Sequence, residues 1–336
     1  MRAVVIQESI AQPDITAEEL TRRWRGLEGL PGVDQVAIFA PERYPSVGEL
    51  SRLAAGADAL FGVWIGPDLI NAAFLAEHPQ LHYMATLGHG WEPIDVDLTR
   101  RHGLTISNTI YGGQTIAEYA FALLLEVCHH ISLHDGRIRT IDWSRRGSGS
   151  QFCLAVTPQI ELFGKTMGIV GLGEIGYAMA RMAYGFGMHV AAYSAHKKQG
   201  EKYGFVQQVD TLEPLLAQSD VLSLHLPHTS ATERIIDEQA ISRMKDGVIL
   251  INTARGALID EQALAGALAR GKVRAAGLDV LTEEPPRHGS PLLSAPNAVI
   301  TGHIAWLTRE SRLRAIDMAI GNFASYLEGG PCSKIN

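Results

Sequence analysis

Three segments place ionisable side chains where apolar runs end. Leu250 to Gly256 carries Arg255, Gly277 to Pro286 carries Asp279, Glu283 and Glu284, and Thr301 to Trp306 carries His303. Each follows a run of Val, Ile, Leu or Ala that reads as a strand. Ligands bind beyond the carboxyl ends of strands in open parallel sheets. An Arg, a carboxylate and a His at successive strand ends can therefore converge on one crevice. There the guanidinium holds an anion, and the imidazole, which titrates near neutral pH, moves a proton. Singly, each residue also has a plainer role. Arg255 can cap a helix, Glu284 can be solvated before a Pro turn, and His303 can be a core histidine with its hydrogen bonds met.

A second signal is Gly171-Leu172-Gly173-Glu174-Ile175-Gly176. Such a run carries weight only between a strand and a helix. Here Met167 to Val170 precedes it and the helical pattern Tyr177 to Phe186 follows. Gly171 permits the tight turn, Gly173 lets backbone approach a pyrophosphate, and Gly176 lets helix and strand pack closely. The next strand runs from His189 to Tyr193. The residue closing it, where an acidic side chain would read a ribose and repel a 2′-phosphate, is Ser194, followed by Ala195-His196-Lys197-Lys198. The missing carboxylate and the nearby cations favour NADP over NAD, with use of both open. The two lysines are also compatible with a solvated loop face.

The elements that must position these groups are legible in 336 residues, about two domains' worth. Eleven apolar strands are expected: Ala3–Ile6, Gln35–Phe39, Ala59–Trp64, His82–Thr86, Thr105–Asn108, Met167–Val170, Val190–Tyr193, Val221–His225, Val248–Asn252, Ala275–Val280 and Ala298–Thr301. Amphipathic segments separate most of them, which implies parallel sheets covered on both faces. Eleven are many for one sheet, so two α/β domains fit better. A long helix is expected from about Gln114 to His130, opened by a capping box at Thr115-Ile116-Ala117-Glu118. The Gly/Ser/Arg-rich stretch Arg145 to Ser150 reads as a surface loop or as an arm onto a second subunit.

Composition narrows the function classes. The chain is 46% hydrophobic and 19% charged, with 29 Lys and Arg against 36 Asp and Glu. The net charge of -7 argues against nucleic acid or an anionic membrane as main partner. The longest apolar stretch, Ala120 to Cys128, is too short to span a bilayer. Cys128, Cys153 and Cys332 have no metal or redox spacing and suggest free thiols in a reducing, cytoplasmic setting. No metal site is expected.

These motifs, with Glu161 to Gly171, His225-Leu226-Pro227 and Asn252 to Gly256, resemble the D-isomer-specific 2-hydroxyacid dehydrogenases over nearly the whole chain. Ala122 to His130, His303-Ile304-Ala305-Trp306 and Pro285-Pro286 look most like the glycerate dehydrogenases, or hydroxypyruvate reductases. The resemblance implies an NAD(P)-binding Rossmann domain over residues 110–303 and a discontinuous, flavodoxin-like substrate domain from 1–109 and 304–336. It implies interconversion of a small 2-keto acid and a D-2-hydroxy acid, a homodimer, and domain closure that excludes water.

It also implies roles. Arg255 would bind the carboxylate and carbonyl oxygen of the substrate, and His303 would supply the proton. Glu284 would pair with His303 as a coupled dyad. Asp279 would bind the nicotinamide carboxamide. Leu87 and Gly88, with His89 and Gly90, would offer N–H groups to the substrate carboxylate. Further cofactor contacts fall on Thr115, Glu174, Ile175, Leu226, Pro227, Thr232, Thr253, His303 and Ala305. Tyr111 and Trp306 would line the substrate pocket or sit in the core. The loops around Ile65, His89 and Tyr111 carry few cations, which counts against a phosphorylated substrate.

Two departures stand out. Gly302 replaces the family's usual Pro before the histidine, which loosens that turn. Ser194 replaces the acidic residue that marks strict NAD use. Two other readings remain: a dehydrogenase of another 2-hydroxy acid, and a non-catalytic dinucleotide sensor like the related corepressors.

Overall fold

The computed structural model describes residues 1–7, 14–41, 43, 45–62, 70–88, 90, 95–140 and 157–336. Ile65, His89, Cys153 and the stretch 145–150 lie outside the described residues. The chain divides into two compact units, residues 1–112 with 306–336 and residues 113–305.

The first unit holds one parallel sheet of β1 (Arg2–Ile6), β2 (Gln35–Phe39), β3 (Ala59–Gly62), β4 (Tyr83–Thr86) and β5 (Thr105–Ser107). Their spatial order is β2-β1-β3-β4-β5, the flavodoxin-like order. β3 and β4 are buried at every position, because helices cover both faces. The helices Ala17–Trp24 and Arg309–Leu327 supply Leu20, Trp24, Ile316 and Phe323 to one face. Val47–Leu53 and Ala72–Glu77 supply Leu50, Phe74 and Leu75 to the other.

The second unit holds β6 (Thr166–Val170), β7 (His189–Tyr193), β8 (Val206–Val209), β9 (Val221–Leu224), β10 (Val248–Asn252), β11 (Val273–Leu278) and β12 (Ala298–Ile300). All pair in parallel, in the order β12-β11-β10-β9-β6-β7-β8. The chain winds outward from β6 through β7 to β8, then returns to build the other half from β9. That reversal makes the carboxyl end of β6 a switch point of a doubly wound fold. The helices Gly113–His129 and Glu174–Gly185 cover one face. Leu212–Gln218, Glu238–Arg243 and Glu261–Arg270 cover the other.

Several expectations need correction. β8 is a twelfth strand, Val206-Gln207-Gln208-Val209, whose two glutamines break the apolar pattern because the strand lies at the sheet edge. The long helix begins at Gly113, so Thr115 lies inside its first turn and is not its cap. Glu118 instead accepts a hydrogen bond from the Gln114 side chain at 2.8 Å. The helix stops at His129, where His130 takes a left-handed φ of 49° and a second helix, Ile131–Ile138, sets off at 54°. The unit boundaries fall at 112/113 and 305/306. The long helix packs with the second sheet, and the 303–305 turn is bonded to Asp279 beside β11. Among the described residues, no single helix is long and apolar enough to cross a membrane.

Candidate active site

The site grows from six adjacent strand ends of the second unit, those of β12, β11, β10, β9, β6 and β7. At β6, the backbone turns through Gly171 (φ 98°) into the helix that starts at Glu174. A Cβ on Gly171 would lie 2.6 Å from the His225 carbonyl oxygen, and one on Gly176 would lie 2.0 Å from the Gly171 carbonyl oxygen. Both positions therefore require glycine for packing alone. Gly173 is different: it is exposed, and a Cβ there would meet nothing within 4 Å. Gly173 is also the helix cap, and no side chain caps that terminus. The first-turn N–H groups at Glu174 and Ile175 thus form an anion cradle at the positive end of a 12-residue helix.

Around the cradle, Leu226 packs beside Gly171. Thr232 closes the turn after β9, its hydroxyl donating to the Pro227 carbonyl at 2.7 Å and accepting the Thr229 N–H at 2.8 Å. Thr253, just past β10, is buried, and its hydroxyl has no partner among the described residues. A buried polar atom left that way is costly unless a ligand or water meets it. Ser194 is half-buried at the end of β7. Lys197 pairs with Asp210 at 2.6 Å, and Gln208 on β8 bonds both the N–H and the carbonyl of Lys198 at 2.8 Å. An uncapped N-terminus, an open Gly173 and an unmet Thr253 hydroxyl together fit a dinucleotide.

The ionisable groups come next. Asn252, fully buried at the end of β10, folds the turn that presents Arg255. Its amide donates to the Arg255 carbonyl at 2.8 Å and accepts the Ala254 N–H at 2.9 Å. Sequence reading passed over Asn252, although an Asn two residues before such a turn is an Asx-turn signal. Glu284 accepts the Leu281 N–H at 2.8 Å through Oε1 and meets His303 Nδ1 at 2.6 Å through Oε2. Burial pushes the Glu284 carboxyl up. The hydrogen bond and charge of His303, the Leu281 N–H and the charge of Arg255 outweigh it and hold the carboxyl below the ordinary range. Arg255, Glu284 and His303 thus form one electrostatic group.

Asp279 is bonded to the turn that carries His303. It is 1% exposed, and its carboxylate accepts the Thr301 hydroxyl at 2.6 Å, the Ile304 N–H at 3.0 Å and the Ala305 N–H at 2.8 Å. Its protein partners thus lie in the turn that carries His303. The same bonds occupy the Ala305 N–H. Leu87 and Gly88 lie in the first unit. The Leu87 N–H already donates to the Gly62 carbonyl at 3.1 Å and its side chain is buried, so Leu87 has no donor for a substrate. The Gly88 carbonyl accepts the Thr109 N–H at 3.3 Å. Tyr111 is buried in the first unit, edge-on to Trp306 with ring centroids 6.5 Å apart.

Residues 121–305 match the family model described as D-isomer specific 2-hydroxyacid dehydrogenase, NAD binding domain. This chain belongs to that family. A hydroxypyruvate reductase of Blautia hydrogenotrophica is 37% identical over 314 residues, 93% of this chain and 94% of that one. A glyoxylate reductase of Aeropyrum pernix is 35% identical over 304 residues, 90% of each chain. A solved acyclic imino acid reductase in complex with NADPH and D-Arg superposes with a TM-score of 0.81 at 29% identity, covering 100% of both chains. The dehydrogenase is therefore an oxidoreductase that interconverts a 2-keto acid and a D-2-hydroxy acid with a nicotinamide dinucleotide.

Proposed function

We propose that this dehydrogenase reduces hydroxypyruvate and glyoxylate, with NADPH preferred. The observation that carries the reading is the 2.6 Å contact of His303 Nδ1 with Glu284, with the charge of Arg255 acting on the same carboxylate. A 2-keto acid needs its carboxylate held, its carbonyl polarised and a proton delivered. Arg255, permanently charged and forked, binds the carboxylate and the carbonyl oxygen together. Glu284 holds Nδ1 of His303, which directs Nε2 to the substrate. In reduction His303 gives its proton to the carbonyl oxygen; in oxidation it takes the proton back. A bound nicotinamide dinucleotide supplies or accepts the hydride. Gly171, Gly173, Glu174, Ile175 and Gly176 hold its pyrophosphate, and Thr115, Leu226, Pro227, Thr232, Thr253 and Ala305 line its path. Residues 1–112 with 306–336 act as the substrate domain.

The names of the two relatives support the substrates. The NADPH of the imino acid reductase and the absence of a carboxylate at Ser194 support the cofactor. The pairing of Lys197 with Asp210 leaves His196 and Lys198 as the cations for a 2′-phosphate. A homodimer through the second unit is supported by its exposed Ile131, Leu133, Phe163, Tyr184 and Phe186, and is tested by sedimentation in solution. The buried free thiols Cys128 and Cys332 suit the cytoplasm, and burial pushes the former up to about 11.

The deciding assay follows absorbance loss from NADPH and from NADH with hydroxypyruvate, glyoxylate and pyruvate. Turnover of the first two with NADPH favoured is the expected outcome. An NADH preference removes the Ser194 to Lys198 part of the reading. Binding of either cofactor without turnover of any keto acid removes the substrate assignment.

A further inference from the structure

The loop from Leu281 to Ser290 carries Glu284, and it is tied down at two places by one side chain. Glu261 Oε1 accepts the Thr282 N–H at 2.6 Å, and Oε2 accepts the Ser290 hydroxyl. Thr282 and Ser290 bracket Glu284 in sequence, so the two bonds fix the loop on either side of it. Glu261 is itself well placed to act as an anchor. It is half-buried and is the first residue of the helix Glu261–Arg270, whose start is capped by Asp260 accepting the Ala263 N–H at 3.0 Å. Ser290 in turn accepts the Leu292 N–H at 3.2 Å, which passes the anchor to the next turn.

The front of the same loop rests on Gly256, the neighbour of Arg255. A Cβ on Gly256 would lie 2.0 Å from the Leu281 carbonyl carbon and 2.3 Å from the Thr282 nitrogen. The loop is thus pressed against the Arg255 turn on one side and held by Glu261 on the other. Glu284 projects from it toward His303, with the charges of His303 and Arg255 facing its carboxylate. The Glu261 hydrogen bonds go to Thr282 and Ser290, so its influence on the site runs through loop backbone.

We propose that Glu261 is a positioning residue for the reaction: by tethering both arms of the loop, it sets the Glu284 to His303 contact. This rests on the reading of Glu284 and His303 as the proton-transfer pair. The test compares kcat, KM and the pH dependence of keto-acid reduction for the wild type, Glu261→Ala, Glu261→Gln, Glu284→Gln and the Glu261→Ala/Glu284→Gln double variant. Glu261→Ala is expected to lower kcat roughly ten- to a hundredfold with little change in KM. It also moves the acidic limb of the profile to higher pH, because a displaced Glu284 carboxylate loses part of the His303 and Arg255 interactions that hold it below the ordinary range. Glu261→Gln keeps an acceptor for the Thr282 N–H and a polar partner for Ser290, and recovers most of the turnover. In the Glu284→Gln background, Glu261→Ala adds little.

A Glu261→Ala variant whose limb does not move, or whose cost is the same with and without Glu284, has lost only structure, and overturns the proposal. If Glu284→Gln itself changes neither kcat nor the limb, the proton-transfer reading fails and the positioning role falls with it. Should Glu261→Ala not fold, Ser290→Ala removes one tether alone. It is expected to move the limb in the same direction by less, and an unmoved limb overturns the proposal.

Discussion

The carbonyl of Asp279 accepts the backbone N–H of His303 at 2.7 Å, while the Asp279 carboxylate binds the residues on either side. His303 sits at a φ of 57°, a left-handed conformation that a non-glycine residue adopts only when its surroundings impose it. Gly302 before it brings no rigidity of its own. The turn therefore owes its shape to Asp279.

Asp279→Asn should show this directly. The amide has one acceptor where the carboxylate has two, so an N–H of the turn is left facing a donor. We expect a loss of about 1–3 kcal/mol in stability and a fall in kcat larger than any rise in KM. Thermal unfolding and steady-state kinetics on one preparation measure both. Full stability with full turnover would show that the turn holds itself.

His303→Ala should lower kcat by roughly a hundredfold or more while the dinucleotide still binds. Arg255→Ala should raise KM and lower kcat together, because in the proposed mechanism one guanidinium both binds and polarises the substrate. Fluorescence titration of the cofactor beside the kinetics separates the two. Unchanged turnover in His303→Ala would remove it as the proton donor.

The glycines of the loop give a contrast free of side-chain chemistry. Gly176→Ala forces a Cβ to 2.0 Å from the Gly171 carbonyl oxygen, so the helix must shift. Its melting temperature and its dinucleotide affinity should both fall. Gly173→Ala meets no protein atom within 4 Å, so its melting temperature should hold while dinucleotide affinity falls. Equal affinity in Gly173→Ala and wild type would place the pyrophosphate elsewhere.

His225 predicts a pH dependence of stability. Burial lowers its pKa from 6.5 to about 3, and Nδ1 is buried without a partner among the described residues. Between those values the unfolded chain binds a proton that the folded chain does not. Stability is therefore complete above pH 6.5 and falls as the pH falls through that window. From pH 7 to 5 this group should remove about 2 kcal/mol. Urea unfolding across that range should show a shallower slope in His225→Gln. An identical slope would mean that another group carries the effect.

Much of this protein is local in its causes, and local causes can be read from a sequence. β10 is five apolar or amide residues buried on both faces, and its run is visible as such. The glycine loop needs one backbone conformation and two close approaches, and each leaves a glycine behind. Arg255, Glu284 and His303 follow strand ends because a doubly wound sheet puts ligand chemistry there. β8 escaped because an edge strand tolerates glutamine. The start of the long helix escaped because Thr115 and Glu118 copy a capping box within the element, beginning in its first turn.

The tertiary structure alone decided what each carboxylate does. Asp279, Glu261 and Glu284 are chemically alike and all lie near strand or helix ends. Asp279 is buried against the 301–305 turn, Glu261 faces the back of a loop, and Glu284 faces His303. Each of these pairings joins residues 19 to 26 apart, across a strand or loop whose path no local pattern encodes. A carboxylate's role is set by the donors that reach it, and only the folded chain brings those donors within hydrogen-bond distance.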